Sequence, residues 1–131
     1  GAPELLEAYQ TLHKLFTSSS FDKEELTVVW QTINVEHACH YCVPAHTGIA
    51  KMMKVDDDIT NALRNETPLE NPKLEDLKTF YAAGYGERQV LEILLGLSQK
   101  VISNYTNHIA NTPVDAPFQK FAWEKEKAAS V

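Results

Sequence analysis

Cysteines stand at positions 39 and 42, and His46 follows the second of them by four residues, in the stretch EHACHYCVPAH. On a helix, residues three apart face the same way with Cβ atoms about 5–6 Å apart, and a disulfide needs Cα atoms within about 4.4–6.8 Å. Small rotations would let Cys39 and Cys42 close such a bond. The attacking species in thiol chemistry is the thiolate, and a free cysteine with a pKa of about 8.5 is only about 7% ionised near pH 7.4. Two features of the stretch can lower that pKa: the positive end of a helix dipole beside Cys42, and His46 one helical turn later. A two-unit drop corresponds to about 2.7 kcal/mol, whereas the dipole typically supplies about 0.3–1 kcal/mol. His46 is therefore expected to carry the larger part, as proton acceptor or imidazolium partner, directly or through water.

Two neighbours are further candidates. Glu36 precedes Cys39 by three residues and His40 by four, so it can orient an imidazole or pass a proton if a helix runs through this region. A bend before Cys39 removes that relation. Tyr41, immediately before Cys42, can donate its hydroxyl to a developing negative charge, and packing is an equal use for it. The sharpest rival chemistry is zinc, because Cys39, Cys42 and His46 share a helical face and His37, His40 or Glu36 could complete four ligands. Structural zinc sites usually draw ligands from two separate segments, however, and the chain has no second Cys or His cluster. No metal or other cofactor is expected. A c-type haem attachment needs histidine directly after the second cysteine, where Val43 stands. His13 reads as a helix-surface residue and His108 as one packed or capped late in a helix. The run Asp56, Asp57 and Asp58 reads as helix-start charge, since a calcium loop alternates its ligands and contains a glycine.

The elements that must hold these residues all read as helices. From Glu4 to Phe16, Leu5, Ala8, Leu12, Leu15 and Phe16 recur at the helical period. Asp22 with Glu25 three places on forms the pattern of a reciprocal N-terminal cap, opening a helix to about Val35. Its apolar residues lie on more than one side, so it is expected to be central; its β-branched residues would suit a strand, but no turn offers a hairpin partner. A third helix is expected from about Tyr41 to Lys54, with Pro44 in its first turn and Cys42 near its N-terminus. A short helix over Asp57 to Arg64 follows. Asn71 and Pro72 then start one ending near Gly84, and the longest starts after Gly86 and reaches about Ala110. In that last helix Val90, Leu94, Leu97, Val101 and Tyr105 form one stripe, joined by Leu91, Ile102 and Ile109. After Thr112, Pro113 and Pro117 predict an irregular tail carrying Phe118, Phe121 and Trp123.

At 131 residues and 44% hydrophobic content, the chain suits a single domain, 1–131, with one core. The net charge of -6 and the lack of a basic run argue against nucleic acid. The most apolar stretch, Val90 to Leu97, falls well short of the roughly 20 residues of a membrane span, so no membrane association is expected. No secretory pattern opens the sequence, which points to a cytoplasmic protein. The two cysteines enclose too short a loop for the usual role of a structural bridge.

With these residues in place, the sequence resembles the alkylhydroperoxidase D-like branch of the carboxymuconolactone decarboxylase family. VEHACHYCVPAHTGIAK, from Val35 to Lys51, carries the central likeness, and SNYTNHIANTPVDAPF, from Ser103 to Phe118, is similar to that family's closing segment. The resemblance implies an all-α, helical-bundle fold, assembly as a homo-oligomer such as a trimer or hexamer, and peroxide- or disulfide-reducing activity in the cytoplasm. It implies further that Cys42 forms a sulfenic acid, that Cys39 resolves it, and that His46 activates Cys42 through a proton relay. Tyr41 stands where family members carry His or Tyr. The family's relay carboxylate usually lies twelve positions before the first cysteine, where this chain has Thr27, with Glu25 and Glu36 the nearest substitutes.

The expected activity is therefore reduction of a small hydroperoxide, with an external dithiol or redox-partner protein as reductant. The alternatives are a dithiol carrier that reduces a partner protein's disulfide, a lactone decarboxylase, and a non-catalytic redox sensor. Lactone decarboxylation requires no CxxC, so the cysteine pair argues against it.

Overall fold

A computed structural model describes residues 2–79 and 86–125. Among them are six α-helices, one 3-10 segment and no strand. The helices are α1 (Pro3–Thr17), α2 (Lys23–Glu36), α3 (Cys42–Met52), α4 (Asp57–Asn65), α5 (Pro72–Thr79) and α6 (Glu87–Ala110), and the 3-10 segment covers Ala116–Phe121. The expected continuation of α5 to Gly84 lies outside the described residues.

Local chemistry explains most boundaries. The Asp22 carboxylate accepts the Glu25 N–H at 2.8 Å while the Glu25 carboxylate accepts the Asp22 N–H at 3.0 Å, the reciprocal cap that the sequence predicts. Glu25 also pairs with Lys73, so it serves the start of α2. Asp56 accepts the Asp58 N–H at 3.0 Å before α4, and Asn71 accepts the Lys73 N–H at 2.9 Å before α5. Asn111 closes α6 in the left-handed region, which asparagine tolerates.

Helix α2 is central and packs against α3, α4, α5 and α6. Its Leu26, Val28, Val29 and Trp30 join Phe16, Phe21, Leu63, Leu69, Leu74 and Leu77 in the core. Helix α1 lies along α6, and Gly96 permits the contact, because a Cβ there would stand 2.8 Å from the Phe16 ring. Two expectations need correction, and the orientation of α6, which periodicity alone leaves open, is set by the fold. The tail forms a 3-10 segment against α3, with Pro117 in its first turn. His13 is half-buried, stacked on Trp30 at 5.6 Å with its Nδ1 accepting from the Gln99 amide at 2.8 Å. The apolar stripe of α6 faces outward, with Leu91, Leu94, Tyr105 and Ile109 exposed, while Gln99, Lys100 and Asn104 are buried.

Candidate active site

The two cysteines are set by the join between α2 and α3. Helix α2 ends at Glu36, and Ala38 takes a left-handed φ of 51°. The Cys39 N–H reaches Asn34 O and the Ala38 N–H reaches Val35 O, each at 3.0 Å, forming a Schellman closure. Cys39 is thus the residue at which the chain leaves one helix and enters the next. The Val43 N–H returns to Cys39 O at 3.1 Å, and the Cys42 N–H donates to Cys39 Sγ at 3.2 Å, where a capping oxygen would normally stand. The Cα atoms of Cys39 and Cys42 are 5.3 Å apart and their sulfurs are paired as a disulfide. Both side chains are buried.

The same bend separates Glu36 from the pair. Glu36 is exposed at the end of α2, and it lines a small cavity with Thr32, Val35, Leu63 and Glu66, not the one beside the cysteines. Tyr41 donates its hydroxyl to Asp115 Oδ2 at 2.7 Å, tying the tail to the start of α3. That hydrogen bond, with partial burial and the Asp115 charge, pushes the phenol up to about 12, so it remains protonated at neutral pH. Thr27 is buried, with its hydroxyl donating to Lys23 O at 2.8 Å.

Around Cys42 Sγ stand two side chains of α6. Ser103 Oγ lies 3.4 Å away, and the Asn107 amide donates to the sulfur at 3.6 Å while also holding Ser103 O at 2.8 Å. Behind Ser103 lies Lys100, fully buried, whose Nζ donates to Ser103 Oγ at 3.5 Å and lies 3.1 Å from His46 Nε2. This chain of groups joins His46 to Cys42. Its ring packs against Trp30 at 4.9 Å, and its Nδ1 is buried with no hydrogen-bond partner among the described residues. Burial first, then the charges of Lys100 and His13, hold His46 well below the usual histidine range, so the imidazole is neutral. Burial pushes Lys100 down to about 7.

A buried polar ladder stiffens the frame. Gln31 donates to Val43 O at 3.0 Å and Thr47 Oγ1 at 3.1 Å, Asn34 donates to Gln31 at 2.9 Å, and Asn104 donates to Asn34 at 3.0 Å. Asn104 Oδ1 takes the Nδ1 proton of His37 at 2.8 Å, and His108 Nε2 donates to His37 O at 2.8 Å. His37 is thereby engaged in other hydrogen bonds, His46 Nε2 meets Lys100, and among the described residues no three His, Cys, Asp or Glu side chains are grouped as a metal would need.

Two cavities flank the cysteines. One of about 380 Å³ is walled by Leu5, Leu6, Tyr9 and Ile102 and reaches Ser103 and Asn107, the two residues touching Cys42. The other, about 110 Å³, is lined by Cys39 itself with His40, Tyr41, His108 and Thr112. A further cavity of about 760 Å³ lies between α4 and α5, and neither cysteine lines it. Sequence reasoning missed Lys100, Ser103 and Asn107. The signal was available: Gln99, Lys100, Ser103, Asn104 and Asn107 recur at helical spacing on one face of α6, a continuous polar stripe. No described helix is long and apolar enough to cross a membrane. Neither protein-family models nor curated proteins give a match to this chain.

Proposed function

We propose that this chain is a thiol-dependent peroxidase of the alkylhydroperoxidase D-like type, acting in the cytoplasm on small hydroperoxides through a Cys39/Cys42 dithiol–disulfide cycle. The observation that carries the reading is the setting of Cys42 Sγ, at bonding range of Cys39 and in contact with the Ser103 hydroxyl and the Asn107 amide, both able to donate to a thiolate. In the cycle, Cys42 thiolate attacks the distal peroxide oxygen. The S–O bond forms as O–O breaks, and the departing alkoxide takes a proton to leave as alcohol. The Cys39 sulfur then attacks the sulfenic sulfur, S–S forms, and hydroxide leaves with the Cys39 proton as water. An external dithiol returns the two electrons. The apolar wall of Leu5, Leu6 and Ile102 suits the organic part of such a peroxide. The outward stripe on α6 supports a homo-oligomer, a trimer or hexamer, since such a row of exposed apolar side chains is unusual for a monomer.

A second reading has one observation in its favour. The Cys42 N–H bonded to Cys39 Sγ at a helix start favours Cys39 as the attacking thiolate of a dithiol carrier for a partner's disulfide. The test reduces the protein, adds one equivalent of an organic hydroperoxide, and follows free thiols and intact mass. Rapid loss of both thiols, abolished in Cys42→Ser, with a sulfenic acid trapped in Cys39→Ser, is expected. Thiols oxidised no faster than a free dithiol would remove the peroxidase reading and leave the carrier.

A further inference from the structure

Lys100 is at 0% exposure, and among the described residues no carboxylate lies within ion-pair distance of it. An ammonium in such a place is costly, because burial strips its water and nothing returns the charge. Helix α6 nevertheless places the amine behind Ser103, at the closed end of a line running Cys42 Sγ, Ser103 Oγ, Lys100 Nζ, His46 Nε2, with separations of 3.4, 3.5 and 3.1 Å. The thiolate is the one anion this line can make.

Resting on the thiol-redox reading above, we propose that Lys100 is the proton acceptor of this site, acting on Cys42 through the Ser103 hydroxyl, while His46 positions the amine and does not meet the thiol. Ser103 takes the thiol proton as it passes its own to Nζ, so a neutral thiol and amine become thiolate and ammonium with no net charge brought into the interior. The ammonium then gains the counter-ion it lacks, and the thiolate keeps Ser103 and Asn107 as donors. When the peroxide bond breaks, the same proton returns along the line to the departing alkoxide. Ser103, which touches the sulfur, is a catalytic residue; Lys100 and His46 act through it.

The surroundings agree. The titratable groups that act on one another here are His46 of α3 and His13 of α1, both held below the ordinary histidine range in part by Lys100. Across the α2–α6 interface the buried pairs are uncharged, Trp30 with Gln99 and Asn34 with Asn104. The buried carboxylate of α2, Glu25, is engaged by Asp22 and Lys73. Burial leaves Lys100 at about 7, where an amine exchanges protons readily at neutral pH.

The experiment needs no peroxide. In reduced Cys39→Ser protein, where Cys42 is the single thiol, the rate of alkylation by iodoacetamide is followed against pH. The parent should show a midpoint below the roughly 8.5 of a free cysteine. Adding Lys100→Met should move the midpoint to that value or above and slow alkylation near neutral pH by about tenfold. Ser103→Ala, a smaller change that leaves the amine in place, should do the same. Both profiles coinciding with the parent's would overturn the proposal. A shifted profile, together with a wild-type protein carrying both cysteines that fails to turn over peroxide, would sink the peroxidase reading alone.

Discussion

Lys100 Nζ and His46 Nε2 lie 3.1 Å apart, both side chains buried, at the junction of α6 and α3. An amine and an imidazole in contact cannot both be cationic there, and burial lowers the proton affinity of each. The pair is therefore a store of proton affinity whose cost to stability depends on pH.

That dependence can be signed. Lys100 is held at about 7 in the folded chain against 10.5 as its ordinary value, so between those limits the unfolded chain binds a proton that the folded chain does not. Stability of the oxidised protein should rise with pH through this window, by about 1.4 kcal/mol per pH unit from this one group, and the loss should be complete below about 7. Lys100→Met should flatten the slope between roughly pH 7.5 and 9.5 and raise stability at neutral pH. Urea unfolding at several pH values checks it; an unchanged slope would place the lysine in contact with water.

Ala38→Gly should stabilise the protein by about 1 kcal/mol, because the left-handed φ of 51° opposes a Cβ and suits glycine. Thermal and urea unfolding of the oxidised protein read the gain. A loss of stability would mean that glycine's extra freedom in the unfolded chain outweighs the relief.

Gly96→Ala should cost about 1–3 kcal/mol, since the new methyl meets the Phe16 ring at 2.8 Å and that ring is fully buried. Gly48→Ala meets Phe118 at 2.6 Å, but Phe118 is only partly buried and belongs to the tail, so the same measurement should show a smaller loss.

The capping of α2, the helix starts at Asp57 and Pro72 and the two cysteines could be read directly, because each depends on chemistry within four residues. Which face of α6 turns inward could not. Periodicity marks Leu94, Leu97 and Val101 as one face, but the choice between faces is made by what α1, α2 and α3 offer, and they offer Trp30, His13, Asn34 and His46 to Gln99, Asn104 and Lys100. A mid-helix lysine reads as solvated until the rest of the fold encloses it. The bend at Ala38 was equally hidden, since nothing in an alanine announces a left-handed residue, and with it went the expected place of Glu36.

Asp115→Asn should bring the Tyr41 phenol down from about 12 toward its ordinary value, because the hydrogen bond to a carboxylate is the first cause of its elevation. Difference absorbance titration against the parent would show one tyrosine moving; five unaltered tyrosines would break the tie between the tail and α3.

Glutamate at both Leu94 and Val101 should convert an oligomer to monomer with helicity retained, because it places charge in the outward stripe and leaves the inward face alone. Sedimentation and circular dichroism together decide it, and a wild-type monomer would end the oligomer proposal.

Trp30 packs against the imidazoles of both His13 and His46, at 5.6 and 4.9 Å, inside a core it shares with Phe16 and Phe21. An indole's emission is quenched when a neighbouring imidazole gains a proton, and it answers to changes in the charge around it. The chain's other indole, Trp123, packs on His40 at 5.8 Å, so in a Trp123→Phe variant the emission belongs to Trp30 alone, and protonation of the Lys100–His46 pair can be timed by light with no added label.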